Sequence, residues 1–598
     1  MAKYDFVVAV GGAPGQGIET LGKSLGQICA RYGLHVYTYS AYQSLIRGGH
    51  TFLTIRISSE PVDNHGDEID LIIALDKNSV EKHIENVRPG GAFIYNEDDA
   101  KKQAPDRDDI QLCPIPYKKF SSGIEDRKLQ RTALNTCLLG TTLRLVGAEM
   151  KVLEEIIIGA LLKRKGQEVV DANIMVATAG YEHAVENFTQ FDAQFEKQEP
   201  PLAFVDGNSA MAMGGAAAGV KFYAAYPMSP STGVLHWMAA NARNLNIMVR
   251  QCEDEISVIN MVIGAAHAGC RAMCATSGGG FALMSEAIGS AAMMEIPIVV
   301  INVQRGGPST GLPTKTEQGD LWQLLGASQG DFPKIIVAPT SIMDGFDTIP
   351  ELFNLVDKFQ CPGMVLSDLT LSMGFTTFEP DSINWQPEID RGEMITELGE
   401  TEGEYLRYQI TDSGISPRAI PGVPGHVHVV ATDDHDEDGG LISDEYTNPH
   451  KRRDIMEKRQ RKMEGIVKLL PPPTLEGPED AEVTLIGWGS THGLISEAAQ
   501  MLNDDGIVTN HIHFKWLYPI DEDVVNEVMA NAGRTIIVEG NYTGQFARFL
   551  RGETGFKADG HIRKYDGEPF MPHHIVDGAR ELLIGKTELY VPYQEIVV

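Results

Sequence analysis

Apolar residues recur along this chain in two alternating textures, short β-branched runs bounded by glycine and longer segments with apolar positions three and four apart. The first texture predicts buried strands and the second amphipathic helices. Residues 4–10 predict a strand, 11–17 a glycine loop and 18–32 a helix. Short strands at 71–75 and 91–95, with helices at 132–145 and 152–163, complete an α/β domain over 1–186. The polar stretch 187–202, with two prolines near its end, predicts a linker. Alternation is clearest over 203–375, where strands at 272–275, 296–303, 335–337 and 363–366 separate helices at 210–219, 256–268, 282–292 and 345–359. The run 296–303 is mostly apolar and β-branched, as in a parallel strand covered on both faces. This predicts a doubly wound domain, with Gly207, Asn208 and Ser209 capping its first helix. The rhythm lapses over 376–481, which holds an acidic run at 433–440 and a charged helical segment at 451–468. It resumes over 482–598 with strands at 483–488, 511–517 and 534–539 and a helix at 494–503. The fold class is therefore α/β, with three α/β domains.

Composition narrows the function. At 598 residues, 43% hydrophobic and 22% charged, the chain has an ordinary globular balance with surface to bury several cores. A formal charge of −32 argues against nucleic acid, whose binding needs clustered Lys and Arg. The seven cysteines are scattered without a Cys-x-x-Cys pair, so neither a zinc knuckle nor an iron–sulfur ligand set is written here. No metal-ligating residues are expected. The acidic run reads as a solvated loop because its carboxylates lack EF-hand spacing, and His492 reads as a turn or interface histidine. Met1-Ala2-Lys3 leads straight into a strand and no apolar run is long enough to span a bilayer, so a cytoplasmic protein with no membrane contact is expected.

Candidate chemistry concentrates between Tyr226 and Asp320. Pro227 and Pro230 stiffen the turn that presents Met228 and Ser229 at a strand end. Glu255 opens a largely apolar helix, where a carboxylate is either a cap favoured by the helix dipole or a chemically active group. Thr276, Ser277 and three glycines follow a strand, which suits close approach of backbone N–H groups to a ligand or a tight turn. Arg305, in a glycine-rich loop after the next strand, suits a carboxylate. Ligands of open α/β sheets sit beyond the carboxyl ends of strands, where Ser229, Thr276 and Arg305 would all lie.

The segments Tyr-Pro-Met-Ser-Pro-Ser-Thr at 226–232, Glu-Asp-Glu-Ile at 253–256, Thr-Ser-Gly-Gly-Gly at 276–280 and Gln-Arg-Gly-Gly-Pro-Ser-Thr-Gly at 304–311 resemble the α subunit of 2-oxoacid:ferredoxin oxidoreductases. These are thiamine diphosphate enzymes, and the resemblance is closest to the 2-oxoglutarate branch. The loop 11–17 and the stretch 40–50 resemble the γ domain of the same enzymes, here fused to the N-terminus, although Pro14 stands where the family usually has glycine. The last domain resembles the transketolase C-terminal domain. The resemblance implies oxidative decarboxylation of a 2-oxoacid with CoA to an acyl-CoA, with electrons passing to ferredoxin. It makes 203–375 the domain that binds the cofactor's pyrimidine, with Glu255 as its activating carboxyl, Glu253 as competitor, and Thr276 and Ser277 beside the cofactor. Ser229 and Arg305 would bind the substrate, and Thr314 and Lys315 a second, distal carboxylate, favouring 2-oxoglutarate over pyruvate. Arg47 and His50 would serve CoA or an interface. The chain lacks a Gly-Asp-Gly motif followed by a metal-binding Asn, so Mg²⁺, the diphosphate and a [4Fe-4S] cluster are expected on a β subunit, in an (αβ)₂ assembly. A pyruvate- or branched-chain-specific member, a non-catalytic structural subunit and a Rossmann-type dehydrogenase are the alternatives. The co-occurrence of Glu255, Ser229 and Arg305 counts against the second, and the glycine spacing at 11–17 against the third.

Overall fold

A computed structural model describes residues 4–43, 49–98, 106–397, 404–444, 448–585 and 587–593. The chain divides into two compact units, one formed by residues up to Val205 with Gly374–Ile383, the other by Asp206–Met373 with Asn384–Pro592.

The first unit is built on an eight-stranded mixed sheet, with Asp5–Gly12 running parallel to Ile69–Ala74 and antiparallel to Thr51–Ser58. Phe6, Val8 and Val10 of the first strand meet Leu21, Leu25 and Ile28 of the helix Ile18–Arg31 in one core. Two further helices, Leu134–Leu145 and Gln167–Asn187, lie against each other at backbone distance. A Cβ on Gly140 would stand 2.1 Å from the Ala177 carbonyl oxygen, so only glycine permits this approach. The strand Phe375–Phe378 returns to this sheet and pairs with His35–Tyr42 far upstream in sequence.

The second unit carries a seven-stranded sheet ordered Trp516–Tyr518, Ile335–Val337, Pro362–Asp368, Ile298–Gln304, Arg271–Thr276, Val220–Ala225 and Met248–Gln251. All neighbours are parallel except the edge strand Trp516–Tyr518. The strand Ile298–Gln304 is buried at every position, as its β-branched run predicts. The chain steps from Val220–Ala225 outward to Met248–Gln251 and then back across to Arg271–Thr276, so the strand order reverses between Val220–Ala225 and Arg271–Thr276. Such a reversal opens a crevice at the carboxyl ends of the strands. A second, six-stranded sheet is ordered Thr474–Glu476, Thr509–Phe514, Val483–Trp488, Arg534–Glu539, Gly560–Arg563 and Leu589–Tyr590, parallel apart from its first strand. The α/β architecture expected from the sequence is the one observed.

Several local expectations are revised. The first helix of the second unit, Gly207–Ala217, is capped by Asp206, whose carboxylate accepts from the Ser209 N–H at 3.0 Å, and not by the residues after it. The helix expected from 282 begins at Gly278, so the glycine triplet forms its first turn. Within the charged helix Pro449–Val467, Lys458 and Lys462 are buried and bond Glu295 at 2.6 and 2.5 Å. The acidic run is tied to the same helix, with Asp434 bonding Arg452 at 2.7 Å and Arg459 at 2.8 Å, and Asp436 bonding Lys451 at 2.8 Å. No described helix is long and apolar enough to cross a membrane.

Candidate active site

Three adjacent strands of the seven-stranded sheet end side by side, and the residues just beyond them build the site. After Ala225 the chain turns through Met228 and Ser229; after Thr276 it enters a helix with Ser277 at its N-cap position but making no side-chain capping bond; after Gln304 it leaves through Arg305. A cavity of about 630 Å³ opens there, lined by Met228, Ser277, Arg305, Glu317, Asp320 and Gln323 among others. The turn at 226–231 is held from below: Asn208 donates to the Pro230 carbonyl at 3.0 Å and the Ser231 hydroxyl to the Met228 carbonyl at 2.8 Å. Ser229 is exposed, and its carbonyl accepts from the Arg305 guanidinium at 2.6 Å.

Glu255 is the first residue of the helix Glu255–His267, but it is not the cap. Asp254 takes that role, accepting from the Ser257 N–H at 2.7 Å. This leaves the Glu255 carboxylate without a capping duty, 4% exposed, and with Oε1 lacking any hydrogen-bond partner. A buried acceptor left unpaired costs about 1–3 kcal/mol, so its persistence points to a missing donor. Its place is fixed by Gly280, where an added Cβ would stand 2.6 Å from Glu255 Oε1 and 2.1 Å from Thr276 Oγ1. Glu255 and Thr276 therefore converge on one glycine. The Ser277 hydroxyl is likewise fully buried and unpaired, at the N-terminus of the helix Gly278–Met293. Glu253, two residues upstream, is not at this helix start.

The loop after Arg305 carries the charges of the cavity. Asp320 accepts from the Asn302 amide at 2.9 Å and lies against Gly278, where a Cβ would meet its Oδ2 at 2.6 Å. That places a carboxylate beside a helix N-terminus, a favoured arrangement. Burial pushes the Asp320 carboxyl up, opposed by the Asn302 bond and by Arg305; burial pushes the Arg305 guanidinium down, opposed by Asp320. Glu317 is pushed up to about 7, first by burial and then by the negative charge of Asp320. The second α/β layer of this unit grips the same loop. Gln318 donates from its side chain to the Trp488 carbonyl at 3.0 Å and accepts from the Gly540 N–H at 2.8 Å, while Gln545 donates to the Gly319 carbonyl at 2.7 Å.

The remaining expected residues lie elsewhere. Thr314 is buried, Lys315 is ion-paired with Glu568, and neither is among the residues lining the cavity. His50, in the first unit, is buried with its Nε2 2.7 Å from His83 Nε2 and its Nδ1 3.3 Å from the Asn78 amide. Arg47 lies outside the described residues. Glu317, Asp320 and Gln323 were not anticipated as lining residues. Their only sequence signal is position: they follow the Arg305 strand end, within reach of a loop that turns back on itself where Gly306 pairs with Leu312.

The doubly wound sheet thus carries an unpaired buried carboxylate beside its topological switch point. Residues 213–450 match the family model "Pyruvate flavodoxin/ferredoxin oxidoreductase, thiamine diP-bdg", 7–183 match "Pyruvate ferredoxin/flavodoxin oxidoreductase" and 476–554 match "Transketolase, C-terminal domain". The chain is 31% identical to 2-oxoacid:ferredoxin oxidoreductase 1, subunit alpha, of Aeropyrum pernix, covering 99% of this chain and 100% of that one. It is 30% identical to 2-oxoglutarate oxidoreductase subunit KorA of Mycobacterium tuberculosis, over 97% of this chain and 92% of the relative. Among solved structures, 2-oxoglutarate:ferredoxin oxidoreductase from Magnetococcus marinus, with 2-oxoglutarate, coenzyme A and succinyl-CoA bound, is 32% identical with a TM-score of 0.88, covering 96% of this chain and 99% of that one. The chain belongs to the family of 2-oxoacid:ferredoxin oxidoreductase α subunits.

Proposed function

We propose that this chain, with a fused γ-type domain over 1–186, is the α subunit of an enzyme that oxidatively decarboxylates 2-oxoglutarate with CoA to succinyl-CoA and CO₂, passing two electrons to ferredoxin. The observation that carries the reading is the Glu255 carboxylate, buried and unpaired beside Thr276 and Gly280. The unpaired Glu255 Oε1 and Ser277 Oγ fit a cofactor that brings its own donors and acceptors. Thiamine diphosphate, when bound, supplies the electron sink for loss of CO₂ from a 2-oxoacid. Glu255 would meet the bound cofactor as a positioned acid–base group, a contribution of roughly 10² to 10⁴-fold. Arg305, half-buried in the cavity wall, pairs with the substrate carboxylate through charge-assisted hydrogen bonds, and the Ser229 hydroxyl at the same edge orients it. The gripped loop 306–320 keeps these groups in place and limits water in the cavity.

A β subunit completes the enzyme in this reading, bringing Mg²⁺, the diphosphate site and a [4Fe-4S] cluster in an (αβ)₂ assembly of the cytoplasm. The chain's cysteines at 29, 113, 137, 252, 270, 274 and 361 offer no cluster spacing, which supports placing the iron elsewhere. Support for 2-oxoglutarate comes from the Mycobacterium tuberculosis and Magnetococcus marinus relatives, whose names carry that substrate. The Lys315–Glu568 pair favours a second reading, since a lysine already neutralised is a poor receptor for a distal carboxylate, and a pyruvate-type preference would follow. Co-expression with the partner subunit and viologen reduction by 2-oxoglutarate or pyruvate, in wild type and Lys315→Met, separates the two. Preference for 2-oxoglutarate that falls about tenfold or more in the variant supports the distal role. Preference unchanged by the substitution removes Lys315 from specificity, and pyruvate preference in the wild type overturns the substrate assignment.

A further inference from the structure

The six-stranded sheet carries a side-chain cluster that the chemistry above does not use. Glu476 ends the edge strand Thr474–Glu476 and stands directly opposite His511 in the antiparallel pairing with Thr509–Phe514. Residues so paired project to the same face at neighbouring positions. His492, the first residue of the helix His492–Asp504, comes onto the same spot. One ligand atom from each of Glu476, His492 and His511 lies within 4.8 Å of the others. His492 Nε2 is 2.7 Å from Glu476 Oε1, and His511 Nδ1 is 3.9 Å from Glu476 Oε2.

The protonation pattern behind the cluster is dictated by one backbone carbonyl. His513 Nε2 lies 3.0 Å from the Gly489 oxygen, which can only accept, so that nitrogen bears the hydrogen. With both rings neutral, as ligation requires, His513 Nδ1 is a bare lone pair, and His511 Nε2, 3.0 Å away, donates to it. His511 Nδ1 is therefore bare as well, and it faces Glu476. A ring whose outer nitrogen is freed by a hydrogen bond at the inner one is the arrangement metal-binding histidines adopt. The Ser496 hydroxyl lies 3.1 Å from both His511 Nδ1 and Glu476 Oε2, and its single proton can satisfy only one of them.

We propose that Glu476, His492 and His511 form a binding site for a divalent transition metal of the zinc class, with His513 and the Gly489 carbonyl orienting His511. Two imidazoles and a carboxylate suit Zn²⁺, and a fourth position stays open to water. The Glu476 and His492 side chains are 42% and 24% exposed, which gives an ion its way in. The ion would join an edge strand, a central strand and a helix start. Those elements flank the 489–491 turn beside Trp488, whose carbonyl receives Gln318 of the active-site loop. No sequence motif announces the site, because its three ligands come from separate elements at 476, 492 and 511 without the short spacings of zinc motifs.

The test uses the full-length chain stripped by chelator, titrated with Zn²⁺ by calorimetry and with Co²⁺ by visible absorption, in wild type, His492→Gln and Glu476→Gln. One equivalent of Zn²⁺ per chain is expected in the wild type, with affinity at least about tenfold weaker in each variant, a loss that even an outer partner of a ligand produces. Zn²⁺ should raise the thermal midpoint of the wild type and leave that of His492→Gln unmoved. Less than one equivalent in the wild type, or equal affinity in wild type and variants, overturns the proposal. Should a variant fail to fold, wild-type Co²⁺ decides: an intense tetrahedral spectrum is expected, and a weak octahedral one refutes the site.

Discussion

Replacing Glu317 by glutamine should stabilise the protein at pH 8 and leave it nearly unchanged near pH 5. The carboxyl titrates at about 7 instead of 4.5, because burial and the neighbouring Asp320 charge both oppose its ionisation, with only the Gly307 N–H working the other way. A group whose folded pKa is raised binds its proton more tightly in the folded state. The stability it contributes is therefore full below pH 4.5 and is lost as pH rises through about 7. At about 1.4 kcal/mol per pH unit the loss would be about 3 kcal/mol for a fully buried group. Glu317 is only about half-buried, and screening by water cuts this to about 1–2 kcal/mol. Glutamine keeps the shape and removes the ionisation. Thermal midpoints of both proteins at pH 5 and pH 8 are the assay, with an upward shift of about 1–3 °C expected for Glu317→Gln at pH 8 alone. A second arm, Asp320→Asn, should recover part of the same stability by removing the repelling charge. Equal pH dependence in wild type and Glu317→Gln, or a lower midpoint for the variant at pH 8, would refute the reasoning.

Two further outcomes follow from packing. Gly280→Ala places a Cβ 2.1 Å from Thr276 Oγ1 and 2.6 Å from Glu255 Oε1, so the carboxylate must shift. Overpacking should cost about 1–3 kcal/mol and thiamine diphosphate affinity of the αβ complex should fall about tenfold or more, read by calorimetry; unchanged affinity would show that the glycine is dispensable. Asp357→Ala strands Arg271, Arg391 and Arg418, whose guanidiniums lie 2.8, 2.9 and 3.8 Å from its carboxylate. Leaving buried charge uncompensated should lower stability by about 3–5 kcal/mol in denaturant unfolding, and a loss under 1 kcal/mol would contradict the burial argument.

The central sheet was legible because its strands are covered on both faces, so burial is written as uninterrupted β-branched runs such as 298–304. The position of the candidate site was legible in part for the same reason: ligands of open sheets sit beyond strand ends, where Ser229 and Arg305 follow two strands and Thr276 closes a third. What escaped depends on distant partners. The burial of Lys458 and Lys462 depends on Glu295, more than 160 residues earlier, which receives both. The strand Phe375–Phe378 pairs with residue 37, a contact no local pattern expresses. Gly278–Gly280 read as a turn, yet they form the first turn of a helix, where Gly280 leaves no room for a side chain against Thr276 and Glu255. That Glu255 is not the cap depends on Asp254 holding the capping bond, which the sequence does not distinguish.

Glu255 is proposed to activate a thiamine cofactor on this chain. Its most direct test is CoA-dependent viologen reduction by 2-oxoglutarate, measured on the αβ complex carrying wild-type or Glu255→Gln α chain, with cofactor content and cluster occupancy matched. A fall in kcat of roughly 10²-fold or more is expected, with the complex intact. Activity within a few-fold of wild type would contradict it and move the proton-holding role to another carboxylate, Glu253 first.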